Sequence, residues 1–297
     1  MLQNLQFILI PLLACLVLLT LTSYFGIHVL KREIIFIDIA LAQITVLGSA
    51  VALYLEHSLE LHEIIIGKLN LSHTLAYLFS LLFCIGAALI FTFLKNPKIK
   101  IPIEAFIGIA YALATTAAVI ILDKGAGGDV HLHDMLTGVL LWTSWIQVLR
   151  LALVFMVIGA FHILFRRKFI QLTELYTGGS PGMKNQKIWD FLFYFSFGIM
   201  IIESVKIAGV LTVFAFLILP ASISAMFATS WRRRILIGLL AGLVAAILGL
   251  HFSLRLDLTA SPLIILFLGL ILLLGTGIRQ LPVQQPGKDK GNDDGGI

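Results

Sequence analysis

Residues 33–50, EIIFIDIALAQITVLGSA, are apolar enough to cross a membrane, yet they carry an acid, Asp38, and an amide, Gln43. A charged side chain at membrane depth costs several kcal/mol unless it faces a protein interior or a hydrated cavity. Lys31 and Arg32 directly precede the stretch and mark the side of the membrane at which it begins. The stretch therefore predicts a membrane helix with a functional surface, inside a bundle formed by the rest of the chain.

The composition of the whole chain is that of a polytopic membrane protein. Of its 297 residues, 59% are hydrophobic and only 12% are charged, whereas a soluble domain has about 45–50% apolar and about 25% charged residues. Cys15 and Cys84 both lie in apolar runs, which argues against a disulfide framework or a cysteine metal site. The basic residues lie in short loops, so the pI of about 9.2 reports membrane topology and does not indicate nucleic-acid binding.

Nine apolar runs approach the length of about 20 residues that a membrane span needs. We place the spans near residues 7–29, 34–54, 72–94, 102–122, 145–165, 188–204, 206–228, 235–251 and 261–277. The run 135–144 is too short to cross and predicts a re-entrant segment or an extension of the fifth span. The pair 188–228 is alternatively one broken unit, which gives eight spans. We therefore predict an all-α, polytopic transmembrane bundle over residues 1–279, followed by a disordered, polar cytoplasmic tail at 280–297.

Basic residues cluster in the loops on one side of the predicted bundle, and the positive-inside rule makes this side cytoplasmic. They are Lys31, Arg32, Lys95, Lys98, Lys100, Arg166, Arg167, Lys168, Lys184, Lys187, Arg232, Arg233, Arg234, Arg279, Lys288 and Lys290. The charges of the first apolar run follow it instead of preceding it, which is the reverse of a secretory signal peptide. We therefore expect a retained first span, with the N-terminus outside and the C-terminus in the cytoplasm.

The loops on the opposite side collect histidines and acids. The most compact cluster is DVHLHD at 129–134, which contains Asp129, His131, His133 and Asp134. Two imidazoles in alternate positions could bind one ion from an extended loop, and together with carboxylates they suit zinc or manganese. The sequence therefore indicates a candidate metal site at the outer mouth, with an ordinary docking loop as the alternative.

Five segments, in order along residues 10–277, resemble the permease subunits of the bacterial ABC importers for zinc, manganese and iron. FIDIALAQITVLG (36–48) resembles that family's Phe-x-Gly-Asp-Ala-Leu-Ser-His-x-x-x-Pro-Gly segment. EAFIGIAYALATTAAVIIL (104–122) resembles the family's Gly/Ile-rich fourth segment, and LTGVLLWTS (136–144) resembles its Leu-Phe-Gly-x-Ile-Leu-x-x-Ser stretch. KIAGVLTVFAFLILPASISA (206–225) resembles its Lys-x-x-Gly helix with a late Pro-Ala pair, and GLHFSLRLDLTASP (249–262) resembles its Gly-Leu-x-x-Ser-x-x-x-Asp segment.

The resemblance implies a permease of a bacterial inner membrane that works with other chains. These are a separate ABC ATPase on the cytoplasmic side, an extracytoplasmic metal-binding protein and a second permease copy, which we expect to form a homodimer in the lipid bilayer. The divalent metal is cargo, so we expect no tightly bound cofactor and no enzymatic activity in this chain. The sequence agrees, because it has no Gly-x-x-x-x-Gly-Lys-Ser/Thr phosphate loop that could hold ATP.

The loop 166–188 occupies the position of the family's coupling helix, which docks on the ATPase. The resemblance makes Glu174, Leu175, Tyr176 and Gly178 the candidate contacts, although the Gly/Ser/Pro stretch that follows Tyr176 departs from the family's pattern. A flexible connector between two spans is the alternative.

The family's second span carries an Asp and, four residues later, a His, so that both lie on one helix face. In this chain the corresponding positions hold Ile39 and Gln43, and the acid lies one position earlier, at Asp38. Asp38 and Thr45 share a face because they are separated by almost two full turns, whereas Gln43 lies about 140° around the helix from Asp38. The family's pair of ligands is therefore absent in its usual form.

We expect Asp38, Gln43 and Thr45 to line the translocation pathway, with Asp38 attracting the cation. The alternative is that Asp38 is an interfacial acid that pairs with Lys31 or Arg32.

Three classes of function remain open from the sequence. The favoured one is the permease subunit of an ATP-driven importer for zinc or manganese, with iron as a third cargo. An ion-coupled secondary carrier that uses Asp38 as its proton or sodium site is the second, and an inverted repeat would favour it. A membrane-embedded enzyme is the third, but it needs a converging set of acids, bases or ligands such as His-Glu-x-x-His, which the sequence lacks.

Overall fold

The computed structural model describes residues 2–58, 71–94, 101–123, 138–178 and 182–280, and every regular element in these ranges is helical. The helices are α1 (Leu2–Lys31), α2 (Ile37–Ser58), α3 (Leu71–Leu94), α4 (Ile103–Asp123), a 3-10 helix (Leu140–Trp142), α5 (Trp145–Leu164), α6 (Arg166–Tyr176), α7 (Gln186–Phe227), α8 (Trp231–Leu256) and α9 (Ala260–Gln280). The predicted all-α fold is confirmed. Of the predicted tail, the described part holds only Gln280, the last residue of α9.

Eight of the described helices are long and apolar enough to cross a membrane, namely α1 to α5 and α7 to α9. Helix α6 is too short to cross a membrane, and its first turn carries the three basic residues 166–168. The chain is therefore a multi-pass membrane protein.

Helix α7 is not one straight rod. Gly209 has φ +75° and ψ +161°, values outside the helical region. The ring of Phe25 in α1 contacts that of Phe197 at 5.1 Å between centroids, while a Cβ on the next residue, Gly26, would lie 2.0 Å from the carbonyl oxygen of Leu217. In a straight helix Phe197 and Leu217 would be about 30 Å apart. Both can contact neighbouring residues of α1 only because α7 folds back at Gly209.

The two arms of α7, residues 186–208 and 210–227, are about 34 Å and about 26 Å long. They correspond to the two spans predicted at 188–204 and 206–228, and they also form the single broken unit that was the alternative. Counting helices gives eight membrane segments in the described chain, and counting arms gives nine. Both arms are largely buried among the other helices, so α7 forms the centre of the bundle.

The end of α1 meets the starts of α7 and α8 at one end of the bundle. The Lys31 Nζ atom lies 4.6 Å from the centre of the Trp231 ring, and Arg32 approaches Asp190 of α7. Helix α6 runs along the same end, where Phe169 packs edge-on against Trp189 with ring centroids 5.6 Å apart. We call this the basic end, defined by residues 31–32, 166–168, 184–187 and 231–234.

Candidate translocation and coupling sites

Asp38 lies in the first turn of α2, and only 2% of its surface is exposed. Neither of its carboxylate oxygens makes a hydrogen bond of acceptable geometry within the described structure. Arg32 lies beside Asp190 instead, with 3.5 Å between Nη1 and Oδ1, so the alternative that Asp38 pairs with Arg32 is wrong. A buried carboxylate in this condition needs a cation, a proton or water to offset the loss of hydration.

The other two predicted pathway residues, Gln43 and Thr45, are buried as well. The Thr45 hydroxyl donates to the carbonyl oxygen of Ala42 at 2.8 Å, and the Ser80 hydroxyl of α3 donates to the carbonyl oxygen of Thr45 at 2.8 Å. The face of α2 that carries Asp38 and Thr45 is therefore closed inside the chain in this conformation. Their role in translocation, like that of Gln43, stays a prediction.

The histidine cluster predicted at the outer mouth, Asp129, His131, His133 and Asp134, lies outside the described residues, so its role as a metal site stays a prediction. Within the described ranges no group of three His, Cys, Asp or Glu side chains is placed to hold a metal ion. Among these residues, Asp38 is therefore a lone carboxylate and not one member of a preformed ligand set.

The fold-back of α7 is covered by the short segment that precedes α5. The Val139 amide donates to the carbonyl oxygen of Ile207 at 3.1 Å, which satisfies a group that the break at Gly209 removes from the helical ladder. Gly138 has φ +73°, and a Cβ there would lie 2.2 Å from the carbonyl carbon of Ala208. Irregular backbone at membrane depth is tolerated where protein covers it, and this segment provides the cover.

The run 135–144 was predicted as a re-entrant segment or an extension of the fifth span. Its described part contains a 3-10 helix, Leu140–Trp142, which extended backbone at Thr143 and Ser144 separates from α5. Ser144 and Gln147 then form a capping box that starts α5 as a new helix. The extension of the fifth span is therefore wrong, because the chain leaves helical geometry before α5 begins.

A charged cluster lies on the arm of α7 that leads to the fold-back. The Arg150 Nη2 atom of α5 donates to Oε1 of Glu203 at 3.2 Å. Lys206 and Arg150 both lie over the Tyr77 ring of α3, at 4.4 Å and 5.2 Å from its centre. The cluster joins three membrane helices, and its cations outnumber its acid, so it is not a cation-binding site.

Helix α6 contains the predicted coupling residues. Glu174, Leu175 and Tyr176 form its last turn, and Gly178 follows with φ +75°. The helix buries Phe169, Leu172 and Thr173 against the bundle, which fixes its orientation at the basic end. The alternative of a flexible connector is therefore wrong for residues 166–176, which form a packed amphipathic helix.

Tyr176 faces the bundle and not a partner surface. Its hydroxyl donates to Oδ2 of Asp190 and accepts from Nε2 of Gln186 at 2.9 Å. Burial and the Asp190 carboxylate raise the pKa of Tyr176, so the hydroxyl stays protonated and able to donate. Contact of Glu174, Leu175, Tyr176 or Gly178 with an ATPase stays a prediction, and Tyr176 is already engaged within the chain.

Arg32 connects α6 and α7 to the end of α1, five positions before α2 begins. Its side chain is fully buried, it pairs with Asp190, and its Nε donates to Oγ1 of Thr173 in α6 at 2.9 Å. The Thr173 hydroxyl can then donate to Nδ1 of His28, 2.6 Å away. Burial lowers the pKa of Arg32 below its usual range, but Tyr194 and Asp190 oppose this effect. We call Arg32, Thr173, Tyr176, Gln186 and Asp190 the α6 anchor.

The sequence interpretation missed this anchor. Lys187 lies three positions before Asp190, close enough to pair with it on a helix, so spacing alone points to the wrong partner. In the structure, the Lys187 Nζ atom lies over the Phe93 ring at 5.2 Å instead. The sequence did contain a signal. Asp190 is an acid inside an apolar run, and Arg32 is a basic residue at the end of a span on the same predicted side of the membrane.

A model of the ABC 3 transport family matches residues 4–278, which is nearly the whole chain. A search of curated protein sequences gives no match.

Two solved structures share the fold. The first, PsaBC from Streptococcus pneumoniae in complex with Fab, has a TM-score of 0.69 at 19% identity and covers 92% of each chain. The second is described as an inward-facing conformation of a metal-chelate type ABC transporter. It has a TM-score of 0.63 at 15% identity and covers 91% of this chain and 85% of that chain. At these identities the likeness shows a common fold and nothing finer.

Proposed function

Because the chain belongs to the ABC 3 transport family, we propose that it is the permease subunit of an ATP-driven importer for divalent metal ions. Zinc and manganese are the favoured cargoes and iron is the third. The family resemblance noted in the sequence is confirmed by the match over residues 4–278. The observation that carries the cargo class is Asp38, a buried carboxylate for which no hydrogen-bond partner is found in the described structure.

Cation passage would use the face of α2 that carries Asp38. In the described state this face is closed, because Asp38 and Thr45 are both buried, and α3 contacts it at Thr45 through the hydrogen bond from Ser80. Transport would require water to reach Asp38, so that its carboxylate becomes ionised and attracts the cation. Thr45 and Gln43 would then supply neutral oxygen atoms, which together with a carboxylate suit manganese or zinc. The cycle is one of alternating access, in which α2 separates from its neighbours.

Energy would come from a separate ATPase that docks on α6. The outer part of the last turn, Glu174 and Leu175, together with Gly178, would form the contact. The α6 anchor then supplies a continuous path from this helix to Arg32, six positions before Asp38. A displacement of α6 would therefore be passed to the start of α2. This is the physical route by which we propose that ATP hydrolysis opens the Asp38 face.

The proposal includes further partners and an orientation. The basic end would face the cytoplasm of a bacterial inner membrane, as the positive-inside rule requires, with the N-terminus outside and the C-terminus inside. A second copy of the permease would complete the pathway, and an extracytoplasmic metal-binding protein would deliver the ion to the outer mouth near 129–134.

The test is uptake of radiolabelled zinc and manganese by proteoliposomes that contain the permease and its ATPase. We expect uptake with ATP and none with a non-hydrolysable ATP analogue. Uptake by the permease alone under a proton or sodium gradient would contradict the proposal and indicate an ion-coupled secondary carrier that uses Asp38.

A further inference from the structure

A cavity of about 730 Å³ lies between α1, α5 and α8, close to the basic end. Most of its wall is apolar and includes Val17 and Leu21 of α1 and Phe155 and Met156 of α5. Arg166 and Arg232 line it too, and no carboxylate is among its described lining residues. None of its lining residues belongs to α2, which carries Asp38, so the cavity is separate from the proposed pathway.

The two arginines and the apolar wall lie at different depths in the membrane. Arg166 comes two positions after the last residue of the segment Trp145–Leu164, and Arg232 is the second residue of Trp231–Leu256. Both cations are therefore at the ends of membrane segments, where lipid phosphates lie. Val17 and Phe155 belong to the middle of their segments and to the hydrocarbon region. The cavity thus joins a cationic end to an apolar interior.

The cavity walls are held by contacts within the chain. The Tyr24 hydroxyl lies 3.1 Å from Nδ1 of His162, whose Nε2 lies 2.8 Å from the Ser196 hydroxyl. The Trp231 ring is fixed by His28, with ring centroids 4.7 Å apart, and by the overlying Lys31. The Tyr24, His162 and Ser196 side chains are bonded to one another, so they do not compete with the two arginines for a ligand.

We propose that this cavity binds one anionic phospholipid from the leaflet at the basic end. The lipid phosphate contacts Arg166 and Arg232, and one acyl chain lies against the apolar wall between α1 and α5. Charge and polarity together select this occupant: two cations with no carboxylate among the described lining residues repel a divalent metal, and an apolar interior does not stabilise a free phosphate. Basic pockets between membrane helices are suited to such head groups. The cavity opens beside exposed side chains of α5, among them Met156 and Ile163, so a lipid can enter from the bilayer.

Gly159 offers a way to fill the cavity without disturbing the backbone. It lines the cavity, and a Cβ added to it would meet only Leu21 Cδ2, at the ordinary contact distance of 3.7 Å. Gly159→Leu therefore places a side chain in the space proposed for the acyl chain. Gly269→Leu in α9 is the matched control, because a Cβ there meets nothing within 4 Å and Gly269 does not line the cavity.

The experiment is a lipid titration of the purified full-length permease, followed by native mass spectrometry. Dioleoylphosphatidylglycerol is the anionic probe, dioleoylphosphatidylcholine the neutral one, and glycerophosphoglycerol the head group without chains. Each arginine near an anionic head group contributes about fivefold in affinity, so Arg166→Gln with Arg232→Gln should weaken phosphatidylglycerol binding about 25-fold. Gly159→Leu should remove the tight site. The exposed neighbours changed together, Arg167→Gln with Arg233→Gln, are the charge control and should leave binding unchanged.

Several results would overturn this proposal. One is equal weakening by the two arginine pairs, which would indicate general surface charge. Another is phosphatidylcholine or the bare head group binding as tightly as phosphatidylglycerol. A third is that the Gly159→Leu variant keeps the melting temperature of the native protein and still binds the lipid tightly. Conversion of a dimer to a monomer by the cavity variants, with lipid binding retained, would show that a second copy of this chain occupies the face. Binding is measured on the permease alone, so failure here leaves the proposed transport function untouched.

Discussion

Asp38 and Asp190 are both buried carboxylates near the start of a membrane helix, yet their surroundings differ. Asp190 has Arg32 beside it and accepts a hydrogen bond from Tyr176, whereas neither oxygen of Asp38 has a hydrogen-bond partner in the described structure. A buried charge that is paired and hydrogen-bonded holds helices in a fixed arrangement. One without such partners is retained at a cost to stability, which is expected of a group that binds or moves something. The comparison supports an anchoring role for Asp190, while the role of Asp38 in transport stays a proposal.

The largest loss of stability is expected when one partner of the Arg32–Asp190 pair is removed. Arg32→Gln leaves the Asp190 carboxylate buried without its cation, which costs about 3–5 kcal/mol of unfolding free energy. Denaturant unfolding of the purified protein in detergent measures this. Arg167→Gln, on an exposed residue of α6, is the control. Arg32→Gln combined with Asp190→Asn should recover part of the loss, because no lone charge remains. If Arg32→Gln alone is as stable as the native protein, Asp190 does not need its cation, and the contrast between Asp190 and Asp38 is removed.

A smaller loss is expected for Tyr176→Phe. The change removes the hydrogen bond accepted from Gln186 and the one donated to the charged Asp190, of which the latter is worth about 1.5–3 kcal/mol. It keeps the packing of the ring. If the α6 anchor also transmits force, the variant should hydrolyse ATP in the assembled complex with less uptake per ATP consumed. The ratio of metal taken up to phosphate released is the measurement. An unchanged ratio with lowered stability would limit Tyr176 to a structural role.

Much of this architecture could be predicted from the sequence, and the reason is physical. Hydropathy is a local property, so the membrane segments and the separate arms of α7 follow from runs of apolar residues. The partners of buried charges are not local. Arg32 donates to Thr173, which lies 141 positions away, and no spacing rule connects them. Hydropathy likewise cannot show that the face of α2 with Asp38 is buried, because this depends on how α2 is rotated relative to its neighbours.

A still smaller effect on stability is expected for Glu174→Ala with Leu175→Ala. Both side chains are only partly buried, and neither belongs to the α6 anchor, so each change should alter unfolding free energy by about 0.5 kcal/mol or less. If they contact the ATPase, the double variant should lose co-purification with it. Retained co-purification with unimpaired uptake would place the docking surface elsewhere at the basic end.

The central claim is that Asp38 is the functional member of the two acids, and Asp38→Asn tests it most directly. The change keeps the size of the side chain and removes its charge. Uptake of radiolabelled zinc and manganese by the reconstituted complex is the measurement, with unfolding and yield of the ATPase complex as controls. We expect uptake to fall strongly, because an amide cannot become ionised and attract the cation, while stability stays the same or rises. Uptake at the native level, together with a cysteine at position 38 that aqueous thiol reagents do not reach during turnover, would contradict the account and place the pathway away from α2.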